Sequence, residues 1–314
     1  MSTAAEVTDS IIRPPTALLG PEAAARARQR LSQEVPALVD RLPSGDQVVV
    51  SLAQLRRLGS DPTPGAGVED PFAWKPRFVR RSLGLAAIGA CLDGRARSPH
   101  EAVGPVADRA VDEWERSGWR TFHWEPWFAA LGGGARAAVL AESATWATQL
   151  WTSLDWRRFR PPPRLGGPDD QWACPAPRTV HLKGRSELRV VVPGDAGSPP
   201  GTVLVSVSGG SPRPDCEVEL GYLALVAALR SPSRPVPARV VGLWPDTARH
   251  VVVDITEEVL DDAGTLVLGG LEAMVSDAAT GLGAPADGEP DGHPAGGSTG
   301  DRRAVPVRTG AAPG

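Results

Sequence analysis

The sequence predicts an α/β protein in which a small mixed sheet is flanked by helices and preceded by an N-terminal helical subdomain. Two observations lead to this fold class. Apolar, β-branched runs at 179–183, 188–192 and 203–208 are separated by turn residues and precede an apolar stretch of helical length at 217–230. Upstream, apolar residues recur at helical spacing, most clearly over 135–155.

The upstream helices have recognisable start signals. A proline suits the first turn of a helix over 21–35. Ser98, Pro99 and Glu101 combine an N-cap, a first-turn proline and a capping acid at the start of a later helix. Between these two lies a helix over 78–91 with an apolar side. The helix over 135–155 has one apolar stripe, formed by Val139, Ser143, Trp146, Leu150 and Leu154.

Three further strands complete the predicted pattern. Residues 47–50 form a short β-branched run, and apolar runs at 238–244 and 251–254 follow the 217–230 segment. Thr256 is suited to cap a closing helix, because acids occupy the turn that follows it. These elements place the compact part of the fold in the second half of the chain.

Composition divides the chain into four segments. We expect residues 1–18 to be disordered and residues 19–165 to form a helical accessory region that includes the first core helix at 135–156. The core is expected over 178–278, and 279–314 is expected to be a disordered tail. The tail is rich in Gly, Ala, Pro and Asp and has almost no large apolar residue, so it cannot bury a core.

Bulk composition excludes several classes of protein. Hydrophobic residues make up 41% and charged residues 22%, as in ordinary globular proteins. No apolar run reaches the roughly 18 residues of a membrane span, so no membrane partner is expected. The polar N-terminus lacks a secretory pattern, so we expect a cytoplasmic location. Cys91, Cys174 and Cys216 lack the spacing of a zinc or iron–sulfur site.

The order of residues over 184–208 is that of a strand-borne metal site. Mg²⁺ prefers oxygen ligands, which two carboxylates on neighbouring strands supply, and a nearby lysine orients the attacking water. Residues two apart on a strand face the same side, so an acid and a lysine separated by one residue share a face. Here Glu187 precedes the second strand, but the third strand has Ser206 and Ser208 where that pair belongs.

In order and spacing, residues 45–278 resemble the PD-(D/E)xK nuclease superfamily, and in particular its RecB-like branch in actinobacterial proteins. The likeness rests on GRSE at 184–187 before a strand, on the strand at 203–208, and on ELGY at 219–222 in the next helix. This resemblance implies a restriction-endonuclease-like core.

The departures from the family pattern imply a degenerate active site. By this resemblance Glu187 is the remnant of the first metal ligand, Ser206 stands at the second carboxylate, and Ser208 stands at the lysine. A serine hydroxyl is neutral and replaces neither group. The resemblance therefore implies a catalytically inactive nuclease-like protein that acts by binding, with no metal or other cofactor expected.

An active metal-dependent DNA nuclease with relocated acids is the alternative. Glu142 and Glu219, together with Asp215 and Glu217, are the acids that would then join Glu187 in holding Mg²⁺. A solvated or capping role is the competing interpretation of each of these four acids.

Two kinds of partner are open from the sequence. The net charge of −4 argues against a nucleic-acid coat protein but leaves room for a local basic groove that binds DNA weakly. The cations predicted to contact DNA are Arg77, Arg80, Arg81, Arg157, Arg158 and Arg160, flanked by Lys75 and Arg164. Ordinary surface charge is their competing role. The other partner is a protein, held by the tryptophan-rich region at 114–156 or by the tail of a scaffold unrelated to nucleic acid.

Overall fold

The computed structural model describes residues 2–15, 17–42, 47–52, 54–55, 74–117, 124–166, 170–174, 179–194, 199–230 and 235–282. Its helices are α1 (Ala4–Ile12), α2 (Pro21–Val39), α3 (Pro76–Leu92), α4 (Pro99–Ser117), α5 (Glu125–Ala129), α6 (Gly133–Thr152), α7 (Cys216–Leu229) and α8 (Glu257–Leu282). Its strands are β1 (Gln47–Ser51), β2 (Arg164–Leu165), β3 (Asp170–Cys174), β4 (Thr179–Gly184), β5 (Leu188–Val192), β6 (Gly201–Val207), β7 (Arg239–Trp244) and β8 (Arg249–Asp254).

The strands form two mixed sheets. The first has three strands in the order β1-β4-β3, with β1 parallel and β3 antiparallel to β4. The second has five strands in the order β2-β5-β6-β7-β8, and its one parallel pair, β6 and β7, is connected through α7. The fold is therefore mixed α/β, as the sequence predicts.

Helix α7 explains why there are two sheets where the sequence predicted one. Twelve of its 14 residues are buried, and a helix that is apolar on every side needs cover on every side. Strands β3 and β4 contact it from the three-stranded sheet, β7 and β8 contact it from the other sheet, and α2 and α8 also pack on it. One sheet covers only one side of a helix, so the predicted neighbours at 179–184 and 188–192 lie in different sheets.

The five-stranded sheet is covered on both faces. Leu204 and Val240 belong to the core around α7, whereas Val203, Val205 and Val241 belong to a second core formed with α1, α3 and α6. Because successive strand residues face opposite sides, a sheet covered on both faces has apolar residues at nearly every position. This explains the unbroken apolar runs in β6 and β7.

Residues 1–18, which we expect to be disordered, contain α1. Val7 and Ile11 are buried in the second core. The guanidinium of Arg239, itself wholly buried, donates to the carbonyl oxygens of Ser10 (2.9 Å) and Arg13 (3.0 Å). Thr3 and Glu6 form a capping box at the start of α1, a local helix signal that was not recognised in the sequence, and Arg239 adds contacts from a strand more than 200 residues later.

The remaining element predictions are largely confirmed. Helices α3, α4, α6 and α7 and strands β1 and β4–β8 lie within a few residues of their predicted positions, and α2 continues to Val39. Three short elements were not predicted: α5, β2 and β3. Helix α8 extends to Leu282, into the expected tail, and the rest of the tail lies outside the described residues. No helix in the described part of the chain is both long and apolar enough to cross a membrane.

Candidate functional site

Glu187 is a buried carboxylate at the point where β5 begins. Its backbone N–H donates to the carbonyl oxygen of Val205 on β6 (2.8 Å), and its own carbonyl oxygen accepts from the N–H of Gly166 after β2 (2.7 Å). The bond with Gly166 continues the antiparallel pairing of β5 with β2 by one residue, whereas the Glu187 N–H donates to Val205, which is already the register partner of Leu188. Glu187 is 1% exposed, so other groups of the protein must stabilise its charge.

Two groups stabilise the Glu187 carboxylate. The guanidinium of Arg81, from the first half of α3, forms an ion pair with Oε1. The backbone N–H of Val207 donates to Oε2 (2.7 Å). Burial raises the pKa of Glu187 above its usual value, while Arg81 and the Val207 N–H oppose this rise. Both oxygens of the predicted metal ligand are therefore engaged by the chain itself.

The two serines of the predicted constellation lie in and directly after β6, the strand that pairs with β5. Ser206 is within β6, Ser208 follows it, and both are half-buried. Leu188 and Val205 are the last register partners of β5 and β6, and the N–H of Glu187 donates to the same Val205. Because alternate residues of a strand share a face, Ser206 faces the α7 side with Leu204, whereas Val203 and Val205 face the α3 side. The carboxylate of Glu187 pairs with Arg81 on α3, so the structure does not bring the acid and the two hydroxyl groups together as one site.

The other predicted acids differ from one another in burial. Glu142 is exposed on α6, and Asp215 and Glu217 are exposed at the start of α7. Only Glu219 is buried, with 6% exposed, in the first turn of α7, where the helix dipole favours negative charge. Within the described ranges, no three His, Cys, Asp or Glu side chains come together in a group that could hold a metal ion.

Of the six arginines predicted to contact DNA, the side chains of Arg81, Arg158 and Arg160 form ion pairs or hydrogen bonds with other described residues. Arg81 is paired with Glu187, and Arg158 is paired with Asp9 on α1. Arg160 donates to the carbonyl oxygen of the preceding residue (3.0 Å). The pairs of Arg81 and Arg158 connect α3 to β5 and α1 to the segment after α6, so both side chains have a structural role.

The other three arginines differ in exposure. Arg77 is exposed, and its guanidinium carbon lies 4.9 Å from the centre of the Phe78 ring. Arg157 is also exposed, in the 3₁₀ turn after α6, whereas Arg80 is half-buried. Arg77 and Arg157, together with the exposed Arg160, are therefore the members of the predicted set that present positive charge to solvent.

A further buried acid, which was not predicted from the sequence, is Asp170 on β3, with 2% exposed. Its carboxylate forms ion pairs with Arg189 on β5 and with Arg230 after α7, where the Nη1–Oδ1 distance is 2.9 Å. The pair with Arg189 joins the three-stranded sheet to the five-stranded sheet, and the pair with Arg230 joins β3 to the end of α7. The alternation of Asp170 with the apolar Trp172 and Cys174 is the signal that would have placed all three on one face, but so short and polar a run was not predicted as a strand.

Part of the tryptophan-rich region belongs to the core. Trp156 is 7% exposed, its ring stacks on that of Trp151 at 5.3 Å, and its indole N–H donates to the Trp151 carbonyl oxygen (2.8 Å). Phe159 packs against the same ring. These aromatic residues fill the second core under α1.

Comparison with known proteins adds no family to this description. No protein-family model matches the chain, and no curated protein matches it. The fold alone defines the class: a mixed α/β protein in which a buried helix lies between two sheets and a paired carboxylate lies where β5 meets β6.

Proposed function

We propose that this chain is a nuclease-like protein with a restriction-endonuclease-like core, and that it acts by binding a partner without cleaving it. The observation that carries the proposal is the ion pair between Glu187 and Arg81. A divalent cation at this carboxylate would have to displace a guanidinium from one oxygen and a backbone N–H from the other. The positive charge of Arg81 also repels a cation at that position.

The two serines that stand at the remaining positions of the predicted metal site support the same proposal. Mg²⁺ in proteins is bound through carboxylates and keeps several waters. Ser206 and Ser208 offer only neutral oxygens on this part of β6. A lysine would supply positive charge for the attacking water or the phosphate, and here the nearby positive charge of Arg81 is used to stabilise Glu187.

We propose nucleic acid, bound weakly, as the partner. The support is the exposure of Arg77, Arg157 and Arg160, since surface guanidinium groups contact phosphates and release counterions. The overall charge of −4 means that this attraction is local. Binding should therefore be weak and should fall steeply with salt.

A cleavage assay tests the non-catalytic part of the proposal. Single-stranded and double-stranded DNA are incubated with the chain and Mg²⁺ or Mn²⁺, and we expect no product above the background without protein. Arg81→Gln is a sensitised variant, because it frees Glu187, and it too should be inactive. Metal-dependent cutting that disappears in Glu187→Ala would overturn the proposal in favour of relocated acids, of which the buried Glu219 is the first to test.

Fluorescence anisotropy of labelled DNA over a salt series tests the partner. We expect weak binding, and replacing Arg157 and Arg160 together by alanine should lower the slope of log K against log salt by about 2. Arg97→Ala is the matched control, since Arg97 is exposed but outside the predicted set. No DNA binding even at low salt, or equal slopes for all variants, would favour a protein partner instead.

A further inference from the structure

A cavity of about 550 Å³ lies between α3, α4 and the turn after β2. Its apolar part is formed by Leu85 and Gly89 on α3, Val106 on α4 and Leu165 on β2. The turn residue Gly166, which also lines it, donates to the backbone of Glu187. This volume is within the range of small-molecule binding sites, which are recessed and mostly apolar with a few polar groups.

The charged groups of this cavity are mostly arginines. Arg95 after α3, Arg109 on α4 and Arg185 before β5 line it, against the single acid Glu113. The lining therefore has a net positive charge. Neither Arg95 nor Arg185 is a free cation, since Arg95 pairs with Asp93 at 2.6 Å and Arg185 also has a partner.

Arg109 is the arginine best placed to receive a ligand. It is exposed at the cavity and makes no hydrogen bond or ion pair with any residue that the structure describes. A guanidinium group presents a planar set of donors that matches a carboxylate or a phosphate. In the same cavity, the apolar surface of Leu85 and Leu165 offers cover for the hydrocarbon part of a ligand.

We propose that this cavity binds a small organic anion with an apolar body, whose phosphate or carboxylate contacts Arg109 and whose apolar body covers Leu85 and Leu165. Arg185 adds positive charge to the lining of the same cavity. The proposal goes beyond the function proposed above, because Arg77, Arg157 and Arg160 are not among the residues that line the cavity. Either proposal can fail without the other.

Titration calorimetry of the full chain tests the ligand class with four probes: phenyl phosphate, benzoate, inorganic phosphate and benzyl alcohol. We expect saturable binding of phenyl phosphate or benzoate, about tenfold tighter than inorganic phosphate because the ring covers the apolar floor. Benzyl alcohol, which has the ring without the charge, should not bind. If phenyl phosphate binds more tightly than benzoate, the anionic group of the ligand is a phosphate ester. If benzoate binds more tightly, the anionic group is a carboxylate.

Three variants test the location. Arg109→Ala should weaken binding of the better organic anion about tenfold or more. Arg116→Ala is the matched control, because Arg116 is an exposed arginine on the same helix that does not line the cavity, and it should leave the affinity unchanged. Ala86→Phe, at an exposed lining position, should block the ring-containing probes while all three arginines remain.

The proposal is overturned by any of three results. These are no saturable binding of phenyl phosphate or benzoate, equal affinities of Arg109→Ala and the unmodified chain, and an equal loss in Arg116→Ala. Unchanged thermal unfolding of each variant shows that a loss of binding is not a loss of fold. Arg109, Arg116 and Ala86 are exposed, so all three variants should fold.

Discussion

Arg81 and Glu187 form an ion pair that joins α3 to the start of β5, with the carboxylate 1% exposed and the arginine side chain 24% exposed. The pair turns the one acid left from the predicted metal site into a structural group. It also means that α3, in the expected accessory region, contributes directly to the environment of the core strand. The stability of the fold should therefore depend on both partners together.

Breaking the Arg81–Glu187 pair should strongly destabilise the fold. Arg81→Met leaves the Glu187 carboxylate buried without its partner, and we expect a loss of about 3 kcal/mol in the free energy of unfolding. Adding Glu187→Gln should recover part of this loss, giving a coupling of about 1–3 kcal/mol in a double-mutant cycle measured by urea denaturation. Arg77→Met, at an exposed position on the same helix, is the control and should change stability by less than about 0.5 kcal/mol. If the effects of Arg81→Met and Glu187→Gln on the free energy of unfolding are additive, the two residues do not interact and the prediction is wrong.

The pH dependence of stability should reveal the raised pKa of Glu187. Burial raises this pKa above its unfolded value of about 4.3, so the folded state holds the proton more tightly. The stability that Glu187 contributes is then complete below pH ~4 and is lost as the pH rises through the folded-state pKa. Unfolding free energies of the unmodified chain should therefore fall with rising pH relative to those of Glu187→Gln. If the unfolding free energy of the unmodified chain instead rises with pH relative to that of Glu187→Gln, the effect of Arg81 on the pKa of Glu187 outweighs the effect of burial.

Tyr222 offers a spectroscopic test of the core, because it is the only tyrosine in the chain. Its hydroxyl lies 2.8 Å from the carbonyl oxygen of Val50 and 3.0 Å from that of Lys183, and burial raises the pKa of Tyr222. Phenolate absorbance should therefore not appear at the usual pKa of about 10 but only at higher pH, together with alkaline unfolding. Tyr222→Phe removes the signal and serves as the blank. Ionisation near pH ~10 in the folded chain would contradict the buried position.

Arg239 should control the order of α1. Its guanidinium is wholly buried and pairs with Asp254 (Nε–Oδ1 2.6 Å) while it holds the carbonyl oxygens at the end of α1. In Arg239→Leu we expect hydrogen exchange of the α1 amides to accelerate by about tenfold or more, since hydrogen bonds from a charged donor are lost. The amides of α7 should keep their protection. Arg249→Ala, at an exposed position on β8, is the control, and equal exchange in the two variants would contradict this role.

Two helical glycines should respond in opposite ways to alanine. A Cβ at Gly221 on α7 would lie 2.9 Å from Cγ1 of Val259 on α8, closer than normal packing allows. We expect Gly221→Ala to destabilise the fold by about 1–3 kcal/mol. Gly269 on α8 has open space around the same position, so Gly269→Ala should stabilise by about 0.5–1 kcal/mol through helix propensity. The melting temperatures of the two variants measure both changes in stability. If both temperatures shift in the same direction, the close contact between Gly221 on α7 and Val259 on α8 is contradicted.

The sequence by itself determined the local structure. Strand runs such as β5 and β6 and the capped helix α4 could be predicted because periodicity and capping depend on neighbouring residues. The place of Glu187 before one strand and of Ser206 on the next strand also followed from the order of the residues. The fold class and the contents of the predicted constellation were therefore readable from the chain.

Only the tertiary structure decided how the charges are used and which strands share a sheet. Arg81 looked like a surface cation until α3 placed it on Glu187, and Asp170 was invisible until β3 brought it to Arg189. In the first 18 residues Thr3 and Glu6 are a local helix signal that was overlooked, but the contacts of Arg239 with the end of α1 come from a distant strand. Ion pairs and buried carbonyl contacts depend on distance in space rather than in sequence, and local patterns carry no information about that distance.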